Sequence, residues 1–202
     1  AYIDRSNVGF AKLQFISELG LTETTYGIGA GLFYLGYCLL EVPSNLLLAK
    51  IGARRTFLRI MVLWSLCSAA LAFISEASHF YVLRFFLGAA EAGFFPGVLF
   101  YLSQWAPASR RARFTALFMS AMALSGIVGG PLAGVVMHSM DGLAGLKGWQ
   151  WLFIVQGLPA AVLGVIIYLY LQDGPADAQW LTSAEKDLLS HNLTHDRKDI
   201  VA

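Results

Sequence analysis

The sequence is short of charge, of cysteine and of any catalytic signature. Of its 202 residues only 13% are charged and 57% are hydrophobic, whereas a soluble domain carries about one quarter charged residues. That deficit excludes an ordinary water-soluble domain and points to lipid as the solvent. A formal net charge of +1, with the basic residues placed between apolar runs, excludes a nucleic-acid partner, because phosphate binding needs a basic patch. The two cysteines, Cys38 and Cys67, lie inside apolar runs without metal-ligand spacing and are expected to be buried thiols. The histidines exclude a metal centre: His79 and His138 fall at loop edges, and His191 and His195 in an exposed tail, none beside cysteines or carboxylates at ligand spacing. Neither G-x-S-x-G nor a phosphate loop is present, so no enzyme chemistry is expected. The opening Tyr2-Ile3-Asp4-Arg5 has no basic n-region or cleavage site and reads as the inside of a helix, so the chain is expected to be part of a longer one.

What the sequence does have is long apolar runs. A bilayer is crossed by about 20 such residues, and full spans are expected at 26–48, 57–74, 80–105, 114–138 and 151–171, after a partial helix over about 1–13. Residues 1–172 form this bundle, and 173–202 begin a polar connector. Lys50, Arg54, Arg55 and Arg59 flank one inter-span loop, and Arg110, Arg111 and Arg113 another, whereas the alternate loops carry only Lys12 and Lys147. The basic loops therefore face the cytoplasm, together with the tail. In the tail, Thr182-Ser183-Ala184-Glu185 is a capping box that opens a surface helix. Small residues every four positions, at Gly126, Gly130 and Gly134, at Gly27 and Gly31, at Gly88 and Ala92, and at Gly93 and Gly97, predict close helix packing.

Ionisable groups inside membrane helices are expensive and mark a cavity or a partner. Asp4, Arg5, Glu41, Arg84 and Glu91 are such groups. Seven residues apart, Arg84 and Glu91 lie within about 20° of one helix face. At about 1.5 Å rise per residue, Asp4, Arg5 and Glu91 share a level near the middle of the bilayer. Arginine forks onto carboxylates and suits an organic anion; carboxyl groups in a dry site suit proton exchange. Against this, Arg84 is also read as snorkelling to the interface or pairing permanently with a carbonyl, and Glu91 as a fixed ion-pair partner. Asp4 and Arg5 point about 100° apart and need not line one cavity. Glu41 is expected to pair with the basic loops, and Tyr34, Tyr37 and Glu41 form a polar stripe.

The runs GYCLLEVPSNLLLAKIGARR, LRFFLGAAEAGFFPG, QWAPASRRARFTALF and SGIVGGPLAG together resemble the major facilitator superfamily. Within it they are similar to the anion:cation symporters, including bacterial dicarboxylate-type permeases. The resemblance implies an all-α membrane protein: the amino-terminal six-helix half of a fold whose two halves bind substrate between them, with its first helix truncated. It further implies proton-coupled symport of a small organic anion, Asp4 and Glu91 serving the proton and Arg5, Arg84, Tyr37 and Tyr2 the substrate. Gly52, Arg54 and Arg55 match the family's gating loop, although Asn45 stands where a glycine is expected and Ala49 where an acid is. The stretch around Met122, MSAMALSG, lacks the glutamine that some relatives place against a sugar acid. The implied partners are the anion, the bilayer and a carboxy-terminal half; no cofactor is implied beyond the proton, and the location is the bacterial inner membrane. An exchanger or exporter without proton coupling, and a nutrient sensor on the same fold, are the rival readings.

Overall fold

The computed structural model describes the backbone of residues 2–201 and the side chains of these except residues 13 and 195–201, so the expectation for His195 lies outside the described side chains. Eight α-helices follow one another: α1 Tyr2–Glu18, α2 Glu23–Ile51, α3 Ala53–Ala70, α4 Ala77–Glu91, α5 Phe94–Trp105, α6 Ala108–Ser139, α7 Gly148–Tyr170 and α8 Ser183–Val201, with no strand among the described residues. By length and apolarity, α2, α3 with the short turn after it, the α4–α5 pair, α6 and α7 can each cross a membrane.

The helix ends follow from local chemistry. Thr22 caps α2 by accepting from the Thr25 amide at 3.1 Å, and α2 stops at Gly52, whose φ of 86° only glycine adopts without strain. The run expected as one span over 80–105 is broken at Ala92-Gly93. Gly93 is left-handed with φ 85°, and Pro96 has no N–H for the Ala92 carbonyl that an unbroken helix would place four residues before it. The break leaves Glu91 as the last residue of α4.

Close approach of small residues sets the packing, at some of the positions the glycine spacing predicts and not at others. A Cβ at Gly88 would land on the Phe33 carbonyl, and one at Gly36 on the Phe85 carbonyl, so α2 and α4 touch backbone to backbone. Gly157 lies against Ser68, and Gly164 against Met61, which sets α7 antiparallel to α3; the Gln150 amide donates to the Ala72 carbonyl at 2.6 Å in the same register. Gly27, Gly31, Gly126 and Gly134, expected in tight seams, meet nothing within 4 Å, and on α6 the adjacent stripe of Gly129 and Ala133 is buried instead. Spacing identifies a stripe but not which of two neighbouring stripes faces inward. For the same reason Cys38, expected to be buried, is exposed on α2, while Cys67 is half-buried.

An aromatic core closes the end away from the basic loops. Phe15 packs 5.5 Å from the Phe80 ring and 5.9 Å from the Trp149 ring, and the Trp149 indole donates to Glu18 at 3.0 Å. At the basic end, Asp173 caps α3 by accepting from the Arg54 amide at 2.9 Å. The Arg54 guanidinium donates twice to the Tyr168 carbonyl, at 3.0 and 2.8 Å, and lies over the Tyr168 ring. Trp180 stacks on Trp105 at 5.9 Å. The stretch after α7 is thus tied to the starts and ends of helices at this one face.

The capping box at α8 is formed. The Glu185 carboxylate accepts from the Thr182 amide at 2.9 Å and from the Thr182 hydroxyl at 2.8 Å, and these bonds hold its pKa below the ordinary 4.5. A depressed carboxyl pKa stabilises the helix start above the unfolded value, and that stabilisation is lost as pH falls through the folded one. Protection of the first-turn amides of α8 against exchange, relative to an unfolded chain at the same pH, is therefore expected to fall only below about pH 4.5; a first turn equally protected at lower pH would contradict this.

Candidate functional site

The charged cluster grows from the first two turns of α1. Asp4 and Arg5 leave the helix in different directions, and each finds its own partners. Arg5 turns toward α4, where its Nε donates to Glu91 Oε2 at 2.9 Å. The Arg5 side chain keeps 28% of its surface exposed, whereas Glu91 keeps 4%. One member of the pair is thus open and the other sealed. The second carboxylate oxygen of Glu91 has no hydrogen-bond partner among the described residues.

Aromatic faces surround the guanidinium of Arg5: its central carbon lies 5.0 Å from the Tyr37 ring centre, 5.3 Å from Phe33 and 5.6 Å from Tyr2. The negative ring faces hold a cation without consuming its N–H donors. Phe33 also carries Arg84, whose guanidinium lies 4.6 Å from the ring centre and whose Nε donates to the Gly29 carbonyl at 3.4 Å. Arg84 is 6% exposed, so it points into the bundle and does not snorkel to the interface. The two arginines thus share one buried aromatic ring.

Asp4 faces α3 and bonds a different set of partners. Its Oδ2 accepts from the Trp64 indole at 2.9 Å, and its Oδ1 from the Ser68 hydroxyl at 3.5 Å. It is 8% exposed. The two carboxylates are housed in separate interfaces, α1–α3 for Asp4 and α1–α4 for Glu91. The angular offset between Asp4 and Arg5 along the helix produces this separation.

Other expected residues fall elsewhere. Glu41 makes no ion pair among the described residues; its backbone carbonyl accepts from the Asn45 amide at 2.8 Å. Nine residues before Lys50, it lies about 13 Å short of the basic loop along the helix, which is why the expected pairing does not form. Tyr34 is exposed and stands edge-on to Phe33, while Tyr37 is half-buried against Arg5. Gly52 and Arg54 sit at the α2–α3 turn in the contacts with Asp173 and Tyr168, and Arg55 is exposed there. His79 bonds only Ser75, at 3.2 Å, and no group of three or more metal-ligating side chains occurs among the described residues.

Sequence reasoning missed Phe33, Trp64 and Ser68. Phe33 had one legible signal, its place one turn before Tyr37 on α2. Trp64 and Ser68 sit one turn apart on α3, a spacing that puts an indole N–H and a hydroxyl on one face, but nothing in the sequence says that α1 packs there.

The comparisons agree with the geometry of the fold. The family model described as Major Facilitator Superfamily matches residues 1–200. A protein of Agrobacterium vitis named "Putative tartrate transporter" is 51% identical over 98% of this chain and 44% of its own length. A "Quinolone resistance transporter" of Acinetobacter baumannii is 47% identical over 98% of this chain and 46% of its own. The chain therefore spans about half the length of the curated relatives it matches. A crystal structure of a bacterial homolog to the human lysosomal transporter Spinster, inward-facing and unoccupied, superposes with a TM-score of 0.77 at 19% identity, over 92% of this chain and 43% of that one, a likeness of fold alone. On the match along its length and on this architecture, the chain belongs to the Major Facilitator Superfamily.

Proposed function

We propose that this chain is the amino-terminal half of a secondary active transporter that carries a small organic anion inward together with a proton across the bacterial inner membrane. The observation that carries the reading is the Arg5–Glu91 pair, bonded at 2.9 Å with the arginine open and the acid sealed. With all four groups ionised, Asp4, Glu91, Arg5 and Arg84 sum to zero charge. An incoming carboxylate adds one negative charge to a poorly hydrated site, and one proton on Glu91 restores neutrality. That same proton loosens Arg5 from Glu91 and frees its fork for the substrate, so each ligand makes room for the other. Arg84, behind Phe33, supplies a fixed positive charge, and Tyr37 and Tyr2 frame the approach. A relative named for tartrate transport supports a carboxylate substrate. The remaining substrate contacts come from a second half, against which this one rocks.

Both ligands must favour the occluded state, since a ligand with equal affinity for all states shifts none. The test uses the full-length protein in proteoliposomes with mono- and dicarboxylates. An inwardly directed proton gradient is expected to drive accumulation of the anion, and collapsing the gradient is expected to stop it. Anion exchange indifferent to pH would defeat the reading. A second reading, outward transport, is favoured by the relative named for quinolone resistance; extrusion from inside-out vesicles without inward accumulation would select it.

A further inference from the structure

The interior between α1, α3 and α7 holds polar groups that the charged cluster does not use. Asn7 is fully buried, yet neither its amide nitrogen nor its amide oxygen has a hydrogen-bond partner among the described residues. The same holds for both amide atoms of Gln156 on α7 and for the hydroxyl of Ser65 on α3. Polar atoms left bare in an interior are strongly destabilising, so native proteins give them partners.

Register brings the two amides together. Phe15 packs on Trp149, and Asp4 reaches Ser68, which packs on Gly157, so α1 and α7 run antiparallel; counted eight residues back from Phe15 and seven on from Trp149, Asn7 and Gln156 lie within about 2 Å of one level. Around α1, Asp4 faces α3, while Ile3 and Phe10 face Gly129 and Gly130 of α6. Asn7 projects between those directions, about 40–60° from each. On α7, Gln156 is seven residues after Trp149, which packs on Phe15 of α1; the two lie within about 20° of one face. Both amides therefore belong to the α1–α7 seam.

We propose that ordered water fills this seam between Asn7 and Gln156 and forms the proton's route to Asp4, separate from the path of the anion. The bare atoms choose the ligand. Each amide offers both a donor and an acceptor, and water, which both donates and accepts and is small enough for a closed seam, satisfies both; a cation would engage the oxygens and leave the N–H groups bare. A proton arriving along this water ends on a carboxylate oxygen of Asp4, which loses its negative charge; the amides hold the water and do not exchange protons themselves. The charged groups around Asp4 are Arg5 on its own helix and Glu91 from α4, with Arg84 behind. Tyr37 of α2 lies over Arg5, and Cys67 of α3, next in sequence to Ser68, is half-buried. Neither α6 between Arg113 and His138 nor α7 between Lys147 and Tyr168 carries a titratable side chain, so nothing in the seam competes for the proton.

The route rests on the proton-coupled transport proposed above and on the proton role that the resemblance implies for Asp4, whereas the water site does not, and two measurements separate them. A high-resolution structure of the full-length protein is expected to show density bridging the two amides at about 2.7–3.2 Å. A dry seam, a direct amide–amide bond, or density that touches oxygens alone and depends on sodium or potassium would overturn the site. In proteoliposomes, Asn7→Leu and Gln156→Leu are expected to slow gradient-driven uptake about ten-fold while counterflow without a gradient is retained, and Asn7→Ser, which keeps a donor and an acceptor, is expected to recover most of the rate. Equal loss of uptake and counterflow, no loss in either, or a serine variant as slow as the leucine one would overturn the route. A wild-type protein indifferent to pH would overturn the route together with the transport reading, and the density would still decide the water.

Discussion

Glu91→Gln is expected to reduce gradient-driven accumulation of the anion by at least about 100-fold, the scale on which a positioned proton-transfer group acts, while counterflow persists. The substitution keeps the shape of the side chain and an oxygen that Arg5 can bond at the position of Oε2. It removes the charge and the ability to take up a proton. The glutamine variant is locked in the equivalent of the protonated state: Arg5 is held only by a neutral oxygen and can turn to the anion, but the proton exchanged at Glu91 no longer links its movement to the gradient. Because Glu91 is 3% exposed, its charge is balanced by neighbours and not by solvent, so losing it changes the electrostatics of the whole cluster. Asp4→Asn provides the contrast. It keeps an acceptor for the Trp64 indole and lies in a different interface, so a matching loss there would show that both carboxylates serve the coupling. Accumulation that survives Glu91→Gln would remove this residue from the proton step.

Gly88→Val is expected to be the most damaging single change to the fold. Any Cβ at Gly88 runs into the Phe33 carbonyl, and Gly36 makes the reciprocal approach to Phe85. The neighbouring atoms are backbone, so no side chain can rotate away, and α2 must separate from α4. Overpacking of a core costs about 1–3 kcal/mol when side chains can adjust, and the upper end or more is expected here. In a chain of this size each kcal/mol shifts Tm by about 2–4 °C, so a fall of about 6–12 °C follows. Gly174→Ala, where a Cβ meets nothing within 4 Å, serves as the control and is expected to leave Tm unchanged. The two effects are linked in space: Phe33, whose carbonyl Gly88 touches, is also the ring on which Arg5 and Arg84 rest. A partial Gly88 variant that still folds is therefore expected to lose anion affinity as well. A Gly88→Val protein as stable as wild type would show that the α2–α4 approach is looser than the structure has it.

The sequence by itself determined the solvent and the helices. Apolar runs long enough to cross a bilayer, basic residues concentrated in alternate loops, and ionisable residues set inside the apolar runs are all one-dimensional facts, because hydrophobic length and charge placement are local properties of the chain. The family was legible too, in motifs that stay contiguous. Tertiary structure decided which face of each helix turns inward. Gly126 and Gly134 meet nothing although Gly129 and Gly130 between them meet α1; Cys38 is exposed although it lies in an apolar run; and Asp4 and Arg5, adjacent in the chain, enter separate interfaces with Trp64 and Glu91. Helical periodicity fixes angles within one helix but not the rotation of that helix against its neighbours. That rotation depends on contacts between segments 60 to 86 positions apart, which no local pattern encodes. The charged residues could be found from the sequence; which of them meet could be found only from the packing.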